Sequence, residues 1–236
     1  MLLASLLLGA FLAGSIPFGL LIGLARGIDI RQQGSKNIGA TNCGRVLGRP
    51  FGVLCFLLDF LKGFLPVLGA GFALGAIGRA DSPAGLAWSW LAVVVAAVMG
   101  HMFSPWIGFK GGKGVATGFG GLMGVWPVMT IPALLALVVW AVFLRATRYM
   151  GLSSCLAAMC LPLGVLALPS LGPVLGLTVP GGVLLPHLTV STVLAAFVVY
   201  RHRGNLARTW AGTELRIGGP AQARPAPSDQ EQGKAP

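Results

Sequence analysis

The sequence is short of charge. Only 10% of its 236 residues are Asp, Glu, Lys or Arg, against roughly 25% in a soluble domain. With 55% hydrophobic residues and a mean hydropathy of +0.82, this excludes an ordinary soluble fold and points to an integral membrane protein. Acid is scarcer still, with 6 Asp and Glu against 17 Lys and Arg. In a soluble chain the net charge of +11 would suggest nucleic acid. Here the basic residues sit in short loops between apolar runs, where cytoplasmic positioning accounts for them, so no nucleic-acid partner is expected. Three histidines and four cysteines without a CxxC offer no metal or haem spacing, and no GxSxG elbow is present. Neither a cofactor nor a metal is expected. No Lys or Arg precedes the first apolar stretch, the reverse of a signal peptide, which predicts an uncleaved first helix with its N-terminus outside.

What is present is a series of long apolar runs. A spanning helix takes roughly 20 residues, and 2–24, 52–77, 86–107, 152–169 and 182–200 qualify. Residues 115–144 form one longer stretch with Lys110 and Lys113 before it and Arg145 and Arg148 after it. Keeping both basic groups on one side folds this stretch into two short crossings, with a turn near Pro127 and Pro132. The expected architecture is all-α: a polytopic membrane helical bundle of seven transmembrane helices, N-terminus outside and C-terminus cytoplasmic. Trp88 and Trp90 on one side and Trp106 on the other are placed in aromatic belts. Residues 1–217 read as a single membrane-embedded domain and 218–236, rich in Pro, Ala and Gln, as a disordered cytoplasmic tail.

The polar residues collect in segments assigned to one face. Residues 32–49, QQGSKNIGATNCGRVLGR, offer flexible glycines, the side chains of Ser35, Asn37, Thr41 and Asn42, and the planar fork of Arg45 for a phosphate. Residues 108–118, GFKGGKGVATG, can form a nest of N–H donors at Gly111, Gly112 and Gly114, with charge from Lys113 and support from Lys110. This is not a nucleotide P-loop: GxxxxGK[ST] needs Gly where Ile107 stands and a hydroxyl where Gly114 stands. Past the last span, RHRGNLARTWAGTE (201–214) sets His202 and Asn205 three apart and carries Glu214, the acid near these loops. His101 reads as a hydrogen-bonding residue near a helix end, and His187 as an outside residue. Asp59 and Lys62, at i and i+3 within an apolar helix, read as a structural ion pair.

Taken together, GSKNIGATNCGRVLG (34–48), LDFLKG (58–63), GHMFSPWIGFKGGKGVATG (100–118) and RHRGNLARTWAGTE (201–214) resemble the bacterial acyl-phosphate:glycerol-3-phosphate acyltransferase family, in the family's order and over about residues 5–217. The resemblance implies an inner-membrane enzyme whose active site faces the cytoplasm. It would move an acyl chain from acyl phosphate to the 1-hydroxyl of glycerol 3-phosphate, giving lysophosphatidic acid and phosphate. It also leaves room for the enzyme that makes acyl phosphate as a partner. The HX₄D motif of soluble-type acyltransferases is absent here: none of His101, His187 or His202 has Asp five positions on. Ser35, Asn37, Arg45, Gly111, Gly112, Lys113, Gly114 and Asn205 are expected at substrate phosphates, with Thr41, Asn42, Lys110 and Glu214 supporting. His202, Lys113 and Asn205 are the catalytic candidates, the base being either His202 or a substrate phosphate. Lys36 stands where the family typically has Gly, and Gly151 where many members have Ser. A transporter for phosphate or a phosphorylated small molecule is the alternative; it would set polar groups near the midplane of two related halves.

Overall fold

The computed structural model describes residues 1–218, so the tail from 219 onward lies outside the described residues. The fold is all-helical. The first apolar run is broken into α1 (Leu2–Ser15) and α2 (Phe18–Ala25), followed by α3 (Ala40–Leu47), α4 (Arg49–Ala73) and α5 (Ala84–Met102). Then come α6 (Val115–Gly124), α7 (Thr130–Thr147), α8 (Met150–Leu171), α9 (Gly181–Arg201) and α10 (Arg203–Trp210). Six segments are long and apolar enough to cross a membrane: Leu2–Ala25, Arg49–Ala73, Ala84–Ile107, Thr130–Thr147, Met150–Leu171 and Gly181–Arg201.

The stretch 115–144 divides unequally rather than into two matched halves. α6 has 10 residues and α7 has 18, about 15 Å and 27 Å at the helical rise. Only α7 approaches the ~30 Å hydrocarbon thickness. The break falls at 125–129, and Pro132 sits in the first turn of α7, where a missing N–H is harmless.

Small residues set how closely the helices approach. A methyl group on Gly14 would collide with Ala97 O, and one on Gly100 with Phe11 O, so α1 and α5 interlock reciprocally. Gly63 and Gly120 do the same for α4 and α6, against Thr117 O and Phe60 O. Such backbone contact suits a bilayer, where apolar side chains gain nothing by leaving lipid.

The break between α1 and α2 follows from Pro17, which cannot donate to the helix. Ile16 O is taken up by Lys62 Nζ at 2.6 Å, and Lys62 is paired with Asp59 Oδ1 at 2.7 Å, both side chains 3% exposed. The ion pair is therefore structural, fastening α4 to a broken helix. His101 Nδ1 lies 3.8 Å from the same Asp59 oxygen. Trp90 is not in a belt: it is buried, donates its indole N–H to Val67 O at 2.8 Å and packs into the space left by Gly71. Trp88 and Trp106 are exposed.

Candidate functional site

A cavity of about 2400 Å³ opens where α3, the loop before α6 and the segment after α9 converge. Ser35, Asn37, Thr41, Asn42, Arg45, Lys113, Gly114, His202, Asn205 and Glu214 all line it, so three loops far apart in sequence meet as expected. Lys110 is exposed and does not line it.

Lys113 is at the centre. Its ammonium donates to Asn205 Oδ1, Asn205 Nδ2 donates to Glu214 Oε1 at 2.5 Å, and Arg208 Nε donates to Glu214 Oε2 at 2.7 Å. Arg45 reaches in from α3, with Nη2 donating to Leu215 O at 3.3 Å. Burial lowers the Lys113 pKa to about 8, partly offset by the Glu214 carboxylate. It lowers Arg45 as well. Desolvated cations with one carboxylate among them form a site that a phosphate dianion would relieve.

The glycine loop works differently from a simple nest. Gly111 N–H donates to Met102 O at 3.1 Å and Gly112 N–H to His101 O at 3.2 Å. These two amides cap the end of α5, and any side chain there would strike His101. Arg201 Nη2 holds the loop's other side through Gly112 O at 2.7 Å and Gly111 O at 3.1 Å. The N–H groups of residues 113–117 find no backbone acceptor among the described residues. They form the free N-terminal end of α6, beside Gly114 at φ 80°. A helix N-terminus with a lysine beside it suits an anion, and the free donors run from 113 to 117, which includes Gly114 but neither Gly111 nor Gly112.

In the first loop the roles divide. Asn42 is buried, donating to Ile30 O at 2.9 Å and Gln33 O at 3.1 Å and accepting from Ser35 N–H at 2.7 Å. It is scaffold for the loop, and it leaves the exposed Ser35 hydroxyl at the cavity. Asn37 Oδ1 accepts from Gly39 N–H at 2.9 Å, closing a local turn. Lys36 has φ 58°, a left-handed backbone that explains why glycine would suit this position.

α9 ends at Arg201 and α10 starts at Arg203, with His202 at the junction. His202 is buried, its Nδ1 2.8 Å from Val198 O. Donation to that carbonyl places the proton on Nδ1 and leaves Nε2 as an acceptor. Burial and the Lys113 charge depress its pKa to about 4, so the ring is neutral near pH 7. His187, near the start of α9, is buried and bonds Val183 O at 2.7 Å, far along the helix from this site. Among the described residues, no three His, Cys, Asp or Glu side chains gather as metal ligands.

Arg208, the partner of Glu214, and Arg201, the strut of the glycine loop, belong to the site as well. Both were visible only as members of a basic run. Gly151, which stands where many members have Ser, also has a structural reason. A side chain there would collide with Asn205 Cβ, so glycine is what lets Asn205 lie against the start of α8.

The sequence profile of the glycerol-3-phosphate acyltransferase family matches residues 4–212. The chain belongs to this family. It is 42% identical over 209 residues to the glycerol-3-phosphate acyltransferase of Geobacter sulfurreducens, covering 88% of this chain and 94% of that one. It is 39% identical to the Aquifex aeolicus protein of the same description over 212 residues, covering 90% and 97%. The fold matches the crystal structure of PlsY, an integral membrane glycerol 3-phosphate acyltransferase, in its glycerol 3-phosphate form. That match has a TM-score of 0.75 and 39% identity, covering 92% of this chain and 96% of that one. The lysophosphatidic acid form of PlsY gives a TM-score of 0.73 at 38% identity, with the same coverage. Membership makes the chain an integral membrane acyltransferase of phospholipid synthesis.

Proposed function

We propose that this enzyme transfers an acyl group from acyl phosphate to the 1-hydroxyl of glycerol 3-phosphate at the cytoplasmic face of the bacterial inner membrane. Lysophosphatidic acid and phosphate are the products. The observation that carries this is the cavity itself, which joins a cationic end at Lys113 and Arg45 to an apolar interior between helices. A donor with a phosphate at one end and an alkyl chain at the other matches both. The glycerol 3-phosphate and lysophosphatidic acid forms of the PlsY relative support the acceptor and the product.

In this reading Ser35, Arg45, Lys113 and Asn205 hold the two phosphates at adjoining subsites, with the free amides of 113–117 completing the cradle. Neutralising two dianions lets their reacting ends approach. The acceptor hydroxyl oxygen attacks the carbonyl carbon, a C–O bond forms, and the bond from that carbon to the phosphate oxygen breaks. Phosphate leaves with the bonding pair. Lys113 and the α6 amides stabilise the developing oxyanion. A base of pKa about 4 takes a proton from an alcohol poorly. We therefore assign the proton to a substrate phosphate oxygen and the His202 Nε2 to orienting the hydroxyl. Glu214 holds Asn205 and Arg208 in place.

The same reading counts α6 as a short fourth crossing among seven, with the N-terminus outside and the described end of the chain in the cytoplasm. Arg45, Lys113, Arg148 and Asn205 then share one face. Residues 1–217 act as one domain. Purified protein given labelled glycerol 3-phosphate with palmitoyl phosphate, or with palmitoyl-CoA, tests the donor. Lysophosphatidic acid should form from the acyl phosphate and not from the thioester. Saturable glycerol 3-phosphate binding with no product from either donor would favour a transporter.

A further inference from the structure

Beyond its polar end the cavity continues between helices. Its deepest lining residues are Leu122 on α6, Ala136 on α7, Leu161 on α8 and Leu194 on α9. None of these helices contributes a deeper residue. The next inward positions, Val125, Ala133 and Val165, are each no more than 1% exposed and belong to the solid core. α7 and α8 meet just below the lining, where a methyl group on Gly164 would stand 3.0 Å from Pro132 Cβ. The limb is therefore a groove that ends at a definite depth and is open along one side, where Val53 and Leu137 are exposed. On α8 that depth runs from Gly151, beside Asn205, to Leu161, about 15 Å at the helical rise. About two-thirds of the way down the same face stands Ala158, whose small side chain keeps the limb open.

We propose that this limb measures the acyl chain, with Ala136 and Leu161 as the floor that its methyl end meets and Ala158 as the step above. The proposal rests on the acyl-transfer reading and adds the residues that set chain length. A saturated chain of ~1.5 Å bonds at ~111° advances roughly 1.25 Å per carbon. From Ala158 to Leu161 is ~4.5 Å, so a bulky residue at 158 removes room for about four carbons. Side chains at the floor act through space filled or vacated, and do not touch the phosphate cradle.

The test is a chain-length ladder of octanoyl, decanoyl, dodecanoyl, tetradecanoyl, hexadecanoyl and octadecanoyl species, read two ways. Acyl phosphates give turnover, and lysophosphatidic acids give binding to the purified protein independently of any donor. Ala158→Phe should shift both profiles by about four carbons toward shorter chains, with at least ~10-fold lower relative turnover of dodecanoyl over octanoyl. Leu161→Ala should shift both profiles the other way. Ala136→Phe, on a different helix, should reproduce the shortening if Ala158→Phe fails to fold. The KM for glycerol 3-phosphate should stay within about twofold in each, since no cradle residue changes. If acyl phosphates of every length are inert with wild type, the donor assignment fails, and the lysophosphatidic acid ladder still decides the chain-length claim. Identical ladders in wild type and folded variants would overturn the proposal, as would no dependence of binding on chain length.

Discussion

Gly151 and Asn205 touch so closely in this chain that a Cβ on Gly151 would stand 2.6 Å from Asn205 Cβ. The contact fixes where Asn205 lies, and Asn205 in turn accepts from the Lys113 ammonium, 92 residues away in sequence. The start of α8 thus acts on the proposed phosphate cradle through Asn205. Gly151→Leu, larger than the Ser many family members carry here, should push Asn205 off Lys113 and lower kcat/KM by roughly 10- to 100-fold, the scale of a ~1 Å misplacement. Steady-state kinetics on the folded variant checks this. Unchanged kinetics would mean that Asn205 has room to move.

Lys113 should shape the alkaline side of the pH profile. Its pKa, lowered to about 8 by burial, leaves it charged below that value and neutral above. The phosphate substrate becomes a dianion above about 6. For the free enzyme, kcat/KM should rise through about pH 6 and fall as pH passes about 8. Bound phosphate restores the lysine's charge preference, so the fall in kcat should come at higher pH. Lys113→Arg should remove the alkaline limb while retaining part of the activity.

His202 should prove dispensable as a base. Its pKa of about 4 leaves it neutral throughout the working range. His202→Ala should cost about 10-fold in kcat, less than the ~10²–10⁴ expected of a general base. The rise near pH 6 should persist in the variant, because it belongs to the substrate. Loss of that limb would make His202 the base.

Asp59 should matter for stability rather than chemistry. It pairs with Lys62 at 2.7 Å, both 3% exposed. Asp59→Ala leaves a buried ammonium unpaired, a loss of about 3–5 kcal/mol. Thermal unfolding in detergent should show a large drop in Tm. Replacing both residues with apolar ones should recover part of it, leaving Ile16 O without its donor and Cys55 Sγ without its Asp59 acceptor.

Much of the fold could be read from the chain because lipid imposes a simple demand: apolar runs long enough to cross. The six spanning segments follow from that, and so does the turn within 115–144. The unequal lengths of α6 and α7 did not, since length depends on where α6 packs against α4 through Gly63 and Gly120. At the site, residue types pointed to a phosphate and the three loops do converge. Which amides are free was hidden, because a glycine loop capping α5 and one cradling an anion have the same composition. Trp90 was misplaced for a similar reason: an indole near a span end suits a belt until a Gly71 on a neighbouring helix makes room for it. Arg208 was one arginine among several until the turn at Gly212 brought Glu214 back to it.

The most direct measurement pairs Lys113→Ala and Arg45→Ala with wild type. Glycerol 3-phosphate binding and turnover from palmitoyl phosphate are followed in each, with unfolding curves to confirm that all three are folded. The account predicts folded variants that each lose at least ~10-fold in kcat/KM, the scale of a charge-assisted hydrogen bond. Near-normal turnover in both variants would place the phosphates elsewhere and contradict the account.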